Sequence, residues 1–251
     1  MIQWVFLDIG NVLFNDDNQT YYIHRRFSQV IAEHSPGFSF QQFLADREFE
    51  ISRGHRAPTQ AVMLRHISQR QLDELYHQVT QELRPLYDAM HFPMPYAQSL
   101  LEELADSYRL AIVANQVVEC RASLERWNLL EYFEFVAISE EIDLHKPDPS
   151  IFRWALERAD TRPDEAVMVG DRHDNDIVPA SSLGMHSIWV RWPSLNHKGW
   201  EPKEPEARAF VESHEREPFY GRVTRPEVSP SAVVANLREV APAIRSLSPR
   251  Q

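Results

Sequence analysis

Short apolar runs alternate with longer segments whose apolar residues recur every three or four positions. Residues 2–7 form the first run, which breaks at Asp8-Ile9-Gly10-Asn11, the pattern of a buried strand passing into a turn. Similar runs occupy residues 110–114, 135–138, 166–169 and 187–190. Between them, residues 96–107 carry Leu100, Leu101 and Leu104 at helix spacing, and 117–128 carry Val118, Leu124 and Trp127. Residues 150–159 follow Pro149, and 175–183 stop at Gly184, a helix-ending residue. This alternation predicts an α/β fold, a parallel sheet with helices on both faces.

Residues 15–95 break the rhythm. They hold no strand pattern, and Tyr22, Phe27, Val30 and Ile31, then Phe40, Phe43 and Leu44, then Leu72, Leu75, Val79 and Leu83 follow helix spacing. An all-helical cap domain inserted after the first strand is expected, with prolines 85, 93 and 95 marking the return. Residues 1–14 and 96–251 are then the sheet domain. Within it, the polar, proline-punctuated stretch 192–225 is expected to be a long loop, and 229–247 a final helix opened by Ser229-Pro230-Ser231.

Charge and composition narrow the function. Lys plus Arg is 26 and Asp plus Glu 37, for a net charge of −11, a field that repels a nucleic-acid backbone. Seven glycines in 251 residues build neither G-x-G-x-x-G nor G-x-x-x-x-G-K, which excludes the glycine-rich phosphate cradles. The single cysteine, Cys120, excludes an internal disulfide and is expected to be a small apolar core residue. No apolar run approaches the roughly 18 residues of a membrane span, and the first eight residues lack a basic leader, so a cytoplasmic protein is expected.

In an open parallel sheet, ligands bind beyond the carboxyl ends of the strands. The residues that follow the strands here are Asp8, Asn115 and Asp171, with Lys146 a few positions past residue 138. Two acids, an amide and an ammonium would thus share one rim.

These segments carry a resemblance. Asp8-Ile9-Gly10-Asn11-Val12-Leu13, the strand ending at Asn115, Lys146-Pro147-Asp148-Pro149 with Phe152, and Val169-Gly170-Asp171-Arg172-His173-Asp174-Asn175-Asp176-Ile177 with Gly184-Met185 resemble the four motifs of the haloacid dehalogenase superfamily of hydrolases. The resemblance spans about residues 1–190 and implies a Rossmann-like core with an inserted helical cap. It implies that Asp8 is a nucleophile forming an aspartyl-phosphate, that Lys146 neutralises charge there, and that Asn115 positions the phosphoryl group. It also implies Mg2+ held by Asp8, the Gly10 carbonyl and Asp171, with Asp176 as a ligand through water or a brace. The implied substrate is a small phosphorylated metabolite.

The chain departs from that pattern at two places. Gly10 stands where the family's phosphatases usually carry a second aspartate, the general acid, and Ala114 where a hydroxyl residue usually stands. Losing the acid predicts a bias toward leaving groups that need little protonation, among them anomeric sugar, acyl and aryl phosphates. Asp16 or Asp17 is the candidate substitute acid. Arg53-Gly54-His55-Arg56, between two cap helices, offers Arg53, His55 and Arg56 as substrate-binding candidates, with Arg25 and Arg26 behind them. The alternatives are a carbon–halogen hydrolase, for which no general acid is needed, and a catalytically silent binding protein on the same scaffold.

Overall fold

A computed structural model describes residues 1–55, 57–193, 200–216 and 223–247. In chain order the strands are β1 (Trp4–Leu7), β2 (Arg109–Ala114), β3 (Phe135–Ile138), β4 (Ala166–Gly170), β5 (His186–Val190) and β6 (Ala232–Val234). The α-helices are α1 (Asp17–His34), α2 (Phe40–Ser52), α3 (Pro58–Met63), α4 (Gln69–Leu83), α5 (Tyr87–Met90), α6 (Ala97–Ala105), α7 (Cys120–Arg126), α8 (Ser139–Ile142), α9 (Pro149–Ala159), α10 (Val178–Ser182), α11 (Pro205–Arg216) and α12 (Val240–Arg245). They divide into two compact units: Met1–Asn15, Phe92–Gly199 and Tyr220–Gln251 form one, Asp16–His91 and Trp200–Phe219 the other.

The first unit is a six-stranded sheet in the order β3-β2-β1-β4-β5-β6, parallel throughout. β1 lies between β2 and β4, with Leu7 in register with Ile112 on one side and Val169 on the other. The strand order reverses there, so the crevice expected of such sheets opens where Asp8 and Asp171 emerge. β1 and β4 are buried along their whole length, which explains their continuous rather than alternating hydrophobicity. On one face Trp4, Phe6, Ala111, Val113 and Met168 pack with Ile151, Phe152 and Ala155 of α9 and Ala180 of α10. Truncating the fully buried Phe152 to alanine would cost about 3–5 kcal/mol.

The second unit is helical. Ser39 caps α2 by accepting from Gln42 N, and Ser68 and Gln71 close a reciprocal capping box on α4. α2 ends in paired return bonds, His55 N to Glu50 O (3.0 Å) and Gly54 N to Ile51 O (2.9 Å), with Gly54 at φ +81°. Only glycine takes that left-handed cap without strain.

Two expectations fail. The stretch 192–225 is not a plain loop: α11 lies inside it and belongs to the helical unit, burying Ala207, Phe210, Val211 and His214. Those positions have helix spacing, but the Glu, Arg and His between them hide a narrow apolar stripe. The end of the chain is not one helix over 229–247. Ser231 N bonds Ser187 O and Arg191 N bonds Val234 O, both at 2.8 Å, adding β6 to the sheet edge. Only Val240–Arg245 is α-helical, after Asn236 caps a short 3-10 turn. The valine pair 233–234 serves a strand as readily as a helix, and the free sheet edge decides. The helix expected over 175–183 begins as a π-helical turn, His173–Ile177, before α10.

Candidate active site

Asp8 continues the β1 ladder, its N–H donating to Val169 O at 3.0 Å, and then the chain turns. Leu13 N and Phe14 N both donate to Ile9 O, closing a tight loop in which Asn11 takes φ +52°. Asparagine tolerates the left-handed region better than other non-glycine residues, which accounts for Asn11 at this point of the turn.

Lys146 is the hub. Its Nζ lies 2.8 Å from Asp8 Oδ1 and 2.7 Å from Asp176 Oδ1, with the residue 4% exposed. Its backbone is held by Asn115 in a two-point clasp: Asn115 Nδ2 donates to Lys146 O and Lys146 N donates to Asn115 Oδ1, each at 2.7 Å. Asn115 is the expected positioner of the phosphoryl group, and the contacts its amide makes here fix Lys146. The Lys146–Pro147 peptide is cis.

Asp176 is fully buried and braced at both oxygens, with Oδ1 on Lys146 and Oδ2 accepting from Arg172 N at 3.0 Å. It lies so close to β4 that a Cβ on Gly170 would fall 2.3 Å from its carboxyl carbon. Gly170 is therefore required by space, not by backbone conformation. One carboxylate oxygen from each of Asp8, Asp171 and Asp176 falls within 4.8 Å of the others.

Electrostatically the group is unbalanced. Burial, reinforced by Asp176 and opposed by Lys146, pushes the Asp8 carboxyl up to about 7. Burial works against the Lys146 ammonium, yet Asp176 and Asp8 together hold its pKa above the usual lysine value. Three carboxylates facing one ammonium leave a formal charge of −2. The donors are all oxygens, with no thiolate or imidazole among them, which is the set a hard divalent cation takes. Asp8, Asp171 and Asp176 thus fit the expected Mg2+. Gly10, the other expected ligand, sits two residues past Asp8 in the same buried turn.

Asn11, Trp189 and Trp192, none of them in the expected ligand set, brace this group. Trp189, at the end of β5, donates its indole N–H to Asp171 O at 2.8 Å, and Trp192 donates to Asn11 O at 2.9 Å. Asn11 Nδ2 reaches Asp171 Oδ2 at 3.1 Å. Tryptophans in and just past a fifth strand carry no sequence signal for such bonds, because the partners lie up to 181 residues away.

The remaining residues have partners within their own units. His173 is occupied as a strut, with Nδ1 3.1 Å from Thr224 Oγ1, Nε2 3.0 Å from Val228 O, and its ring edge-on to Trp189. Arg53 lies over the Phe49 ring and His55 Nδ1 accepts from Ala57 N, both within the helical unit; Arg56 lies outside the described residues. Arg25 pairs with Glu206 and Arg26 with Glu82. Asp16 Oδ1 is 3.4 Å from His91 Nε2, also within the helical unit. Cys120 is buried, and burial pushes its thiol up to about 12, the inert state expected.

Residues 39–190 match the family model described as haloacid dehalogenase-like hydrolase. The chain belongs to this family. Asn115, Lys146, Asp171 and Asp176 fall inside the match, and Asp8 and Asn11 precede it. A phosphoserine phosphatase from Thermus thermophilus is 36% identical over 115 residues, 45% of this chain and 44% of that protein. A glyceraldehyde 3-phosphate phosphatase from Pyrococcus furiosus is 32% identical over 108 residues, 43% of this chain and 45% of that one. The chain spans about half the length of the curated relatives it matches. The crystal structure of a HAD phosphatase from Thermococcus onnurineus superposes with a TM-score of 0.60 at 20% identity, covering 99% of this chain and 100% of that one, and shares the haloacid dehalogenase-like fold. Among the described residues no helix is long and apolar enough to cross a membrane.

Proposed function

We propose that this protein hydrolyses small phosphate esters through an aspartyl-phosphate on Asp8, with Mg2+ held by Asp8, Asp171 and Asp176. The observation that carries the reading is the Lys146 ammonium shared between Asp8 and Asp176 with Asp171 beside them, at the carboxyl ends of β1 and β4. The likeness to two phosphatases supports the phosphoryl chemistry.

Asp8 attacks phosphorus through a carboxylate oxygen, the bond from phosphorus to the ester oxygen breaks, and the leaving group departs with that electron pair. Water then cleaves the acyl phosphate, releasing inorganic phosphate and restoring Asp8. Lys146 offsets negative charge on the nucleophile and the transferring group while Asp176 and Asn115 hold it in place. A bound Mg2+ would supply further charge neutralisation. Lys146 retains its proton throughout and so donates none to the leaving group.

Gly10 supplies no acid either, so leaving groups that depart unprotonated are favoured: aryl, acyl and anomeric sugar phosphates over simple alkyl phosphates. The test is a panel of these four classes with the full chain, with and without Mg2+. Activity confined to Mg2+, and higher by about 10²-fold or more on the first three classes, is expected. Equal rates on alkyl and aryl phosphates would refute the leaving-group bias, and halide release from a haloacid without Mg2+ would refute the phosphatase reading.

A further inference from the structure

The loops after β1 and β4 carry Asp8 and Asp171, and both are fastened by indoles from one place, the end of β5. Trp189 grips the Asp171 carbonyl. Trp192, three residues on, grips the Asn11 carbonyl at 2.9 Å, and the Asn11 side chain in turn donates to Asp171 Oδ2 at 3.1 Å. Asn11 is 4% exposed and held at φ +52°, where a change in its backbone rotates the side-chain amide directly. We propose that Trp192 is a positioning residue that acts through Asn11 to fix the Asp171 carboxylate, and thereby sets the affinity for Mg2+. This rests on the Mg2+ reading above. The physical reason is preorganisation: a carboxylate whose rotamer is locked before the cation arrives loses less freedom on binding it, and outer partners of metal ligands typically contribute 10–100-fold in affinity.

The test is Mg2+ affinity, measured by calorimetry on the metal-free full chain, for the wild type, Trp192→Phe, Asn11→Gly and the double variant. Phenylalanine keeps most of the packing and loses the donor; glycine keeps the left-handed turn and loses the amide. Trp192→Phe is expected to bind Mg2+ about 10-fold more weakly, at the lower end of that range because it acts one residue further out. Asn11→Gly should weaken binding at least as much, and the double variant no more than Asn11→Gly alone, the signature of one pathway. The Mg2+ concentration for half-maximal hydrolysis should rise by the same factor, more than kcat falls.

Trp192→His, which retains a ring donor, is the second arm. Recovery of much of the lost affinity supports the proposal, and affinity as weak as Trp192→Phe overturns it. Unchanged Mg2+ affinity in Trp192→Phe, or losses that multiply in the double variant, also overturns it. If the wild type binds no Mg2+, the metal reading itself fails; wild-type binding with an unaffected Trp192→Phe rejects the Trp192 role alone.

Discussion

In the sheet unit Lys146, Asp171 and Asp176 are each at most 5% exposed and lie in one connected group with Asp8; in the helical unit His24, Arg47 and Glu50 are at most 6% exposed, yet each leans on a neighbour in an adjoining segment. His24 Nε2 and Arg47 Nε both meet Thr59 Oγ1, at 3.2 and 3.1 Å, and Glu50 pairs with Arg65. The helical unit spreads its buried polar groups over several small pairings rather than gathering them into one cluster. The sheet unit gathers three acids onto one base, which packing alone would not select, since like charges in a poorly solvated crevice repel. Acids gathered against their own repulsion are the pattern of a candidate site rather than of a core, in line with the function proposed above.

The largest effect that probes this contrast is on Asp8. Asp8→Asn removes the proposed nucleophile and one of three like charges, so hydrolysis should fall by about 10³-fold or more while the metal-free protein becomes more stable by about 1 kcal/mol, a rise of roughly 2–4 °C in Tm. Glu50→Gln in the helical unit should do the reverse, lowering stability by about 1–3 kcal/mol with little change in kcat, because it strands Arg65. Activity assays and melting curves on the two variants decide between them. A destabilised Asp8→Asn would mean that the acids are structural.

Gly170→Ala should come next. The new Cβ needs the space held by Asp176, whose Cγ and Oδ2 would both lie 2.3 Å away, so the brace on Lys146 must move. Expected losses are about 1–3 kcal/mol in denaturant unfolding and a clear drop in activity together. The helical unit's Gly54→Ala is the comparison for stability: it strains a left-handed helix end by about 1–2 kcal/mol without introducing a clash at Asp176.

The sheet was legible because β1 to β5 each end abruptly at a polar residue, Leu7 before Asp8 and Gly170 before Asp171 among them, and a parallel sheet turns those breaks into one rim. Lys146 and Asp176 were legible from the motif they resemble, though the sequence did not show that Asn115 would be spent on the Lys146 backbone. What stayed hidden was set by pairing at long range. Trp192 bonds a carbonyl, a group every residue has, so no side-chain pattern announces it. β6 exists because β5 offers a free edge, and α11 because Phe210 finds Tyr21 and His24 across the helical unit, at ring separations of 5.8 and 5.7 Å.

The pH response separates the units further. Burial, with Arg47 and His214 nearby, holds His24 well below the usual histidine pKa of 6.5. Above that value folded and unfolded chains both keep the ring neutral, and the group adds no dependence. Below it the unfolded chain binds a proton that the folded one refuses, so stability is lost as the pH falls toward the folded pKa, by up to about 1.4 kcal/mol per pH unit. Because the raised Asp8 carboxyl works in the opposite sense over the same range, the loss is read as the difference between wild-type and His24→Gln melting curves from pH 7.5 to 5; parallel curves would assign the dependence to other groups.

The smallest effect isolates what a charge pair contributes without burial. Arg26 meets Glu82 through two bonds, Nε to Oε2 at 2.9 Å and Nη2 to Oε1 at 3.0 Å, with side chains 25% and 28% exposed. The geometry is as good as that of Lys146 with Asp176, but water reaches both partners and screens them. A double-mutant cycle, Arg26→Ala and Glu82→Ala, should give a coupling of about 0.5–1 kcal/mol, falling as salt is raised. The same cycle on Lys146→Met and Asp176→Asn should give a larger coupling that salt barely moves, since the two side chains are at most 1% exposed and bulk ions do not screen the contact between them. Equal couplings with equal salt dependence would show that solvent reaches Lys146, and the case for a desolvated phosphoryl site would go with it.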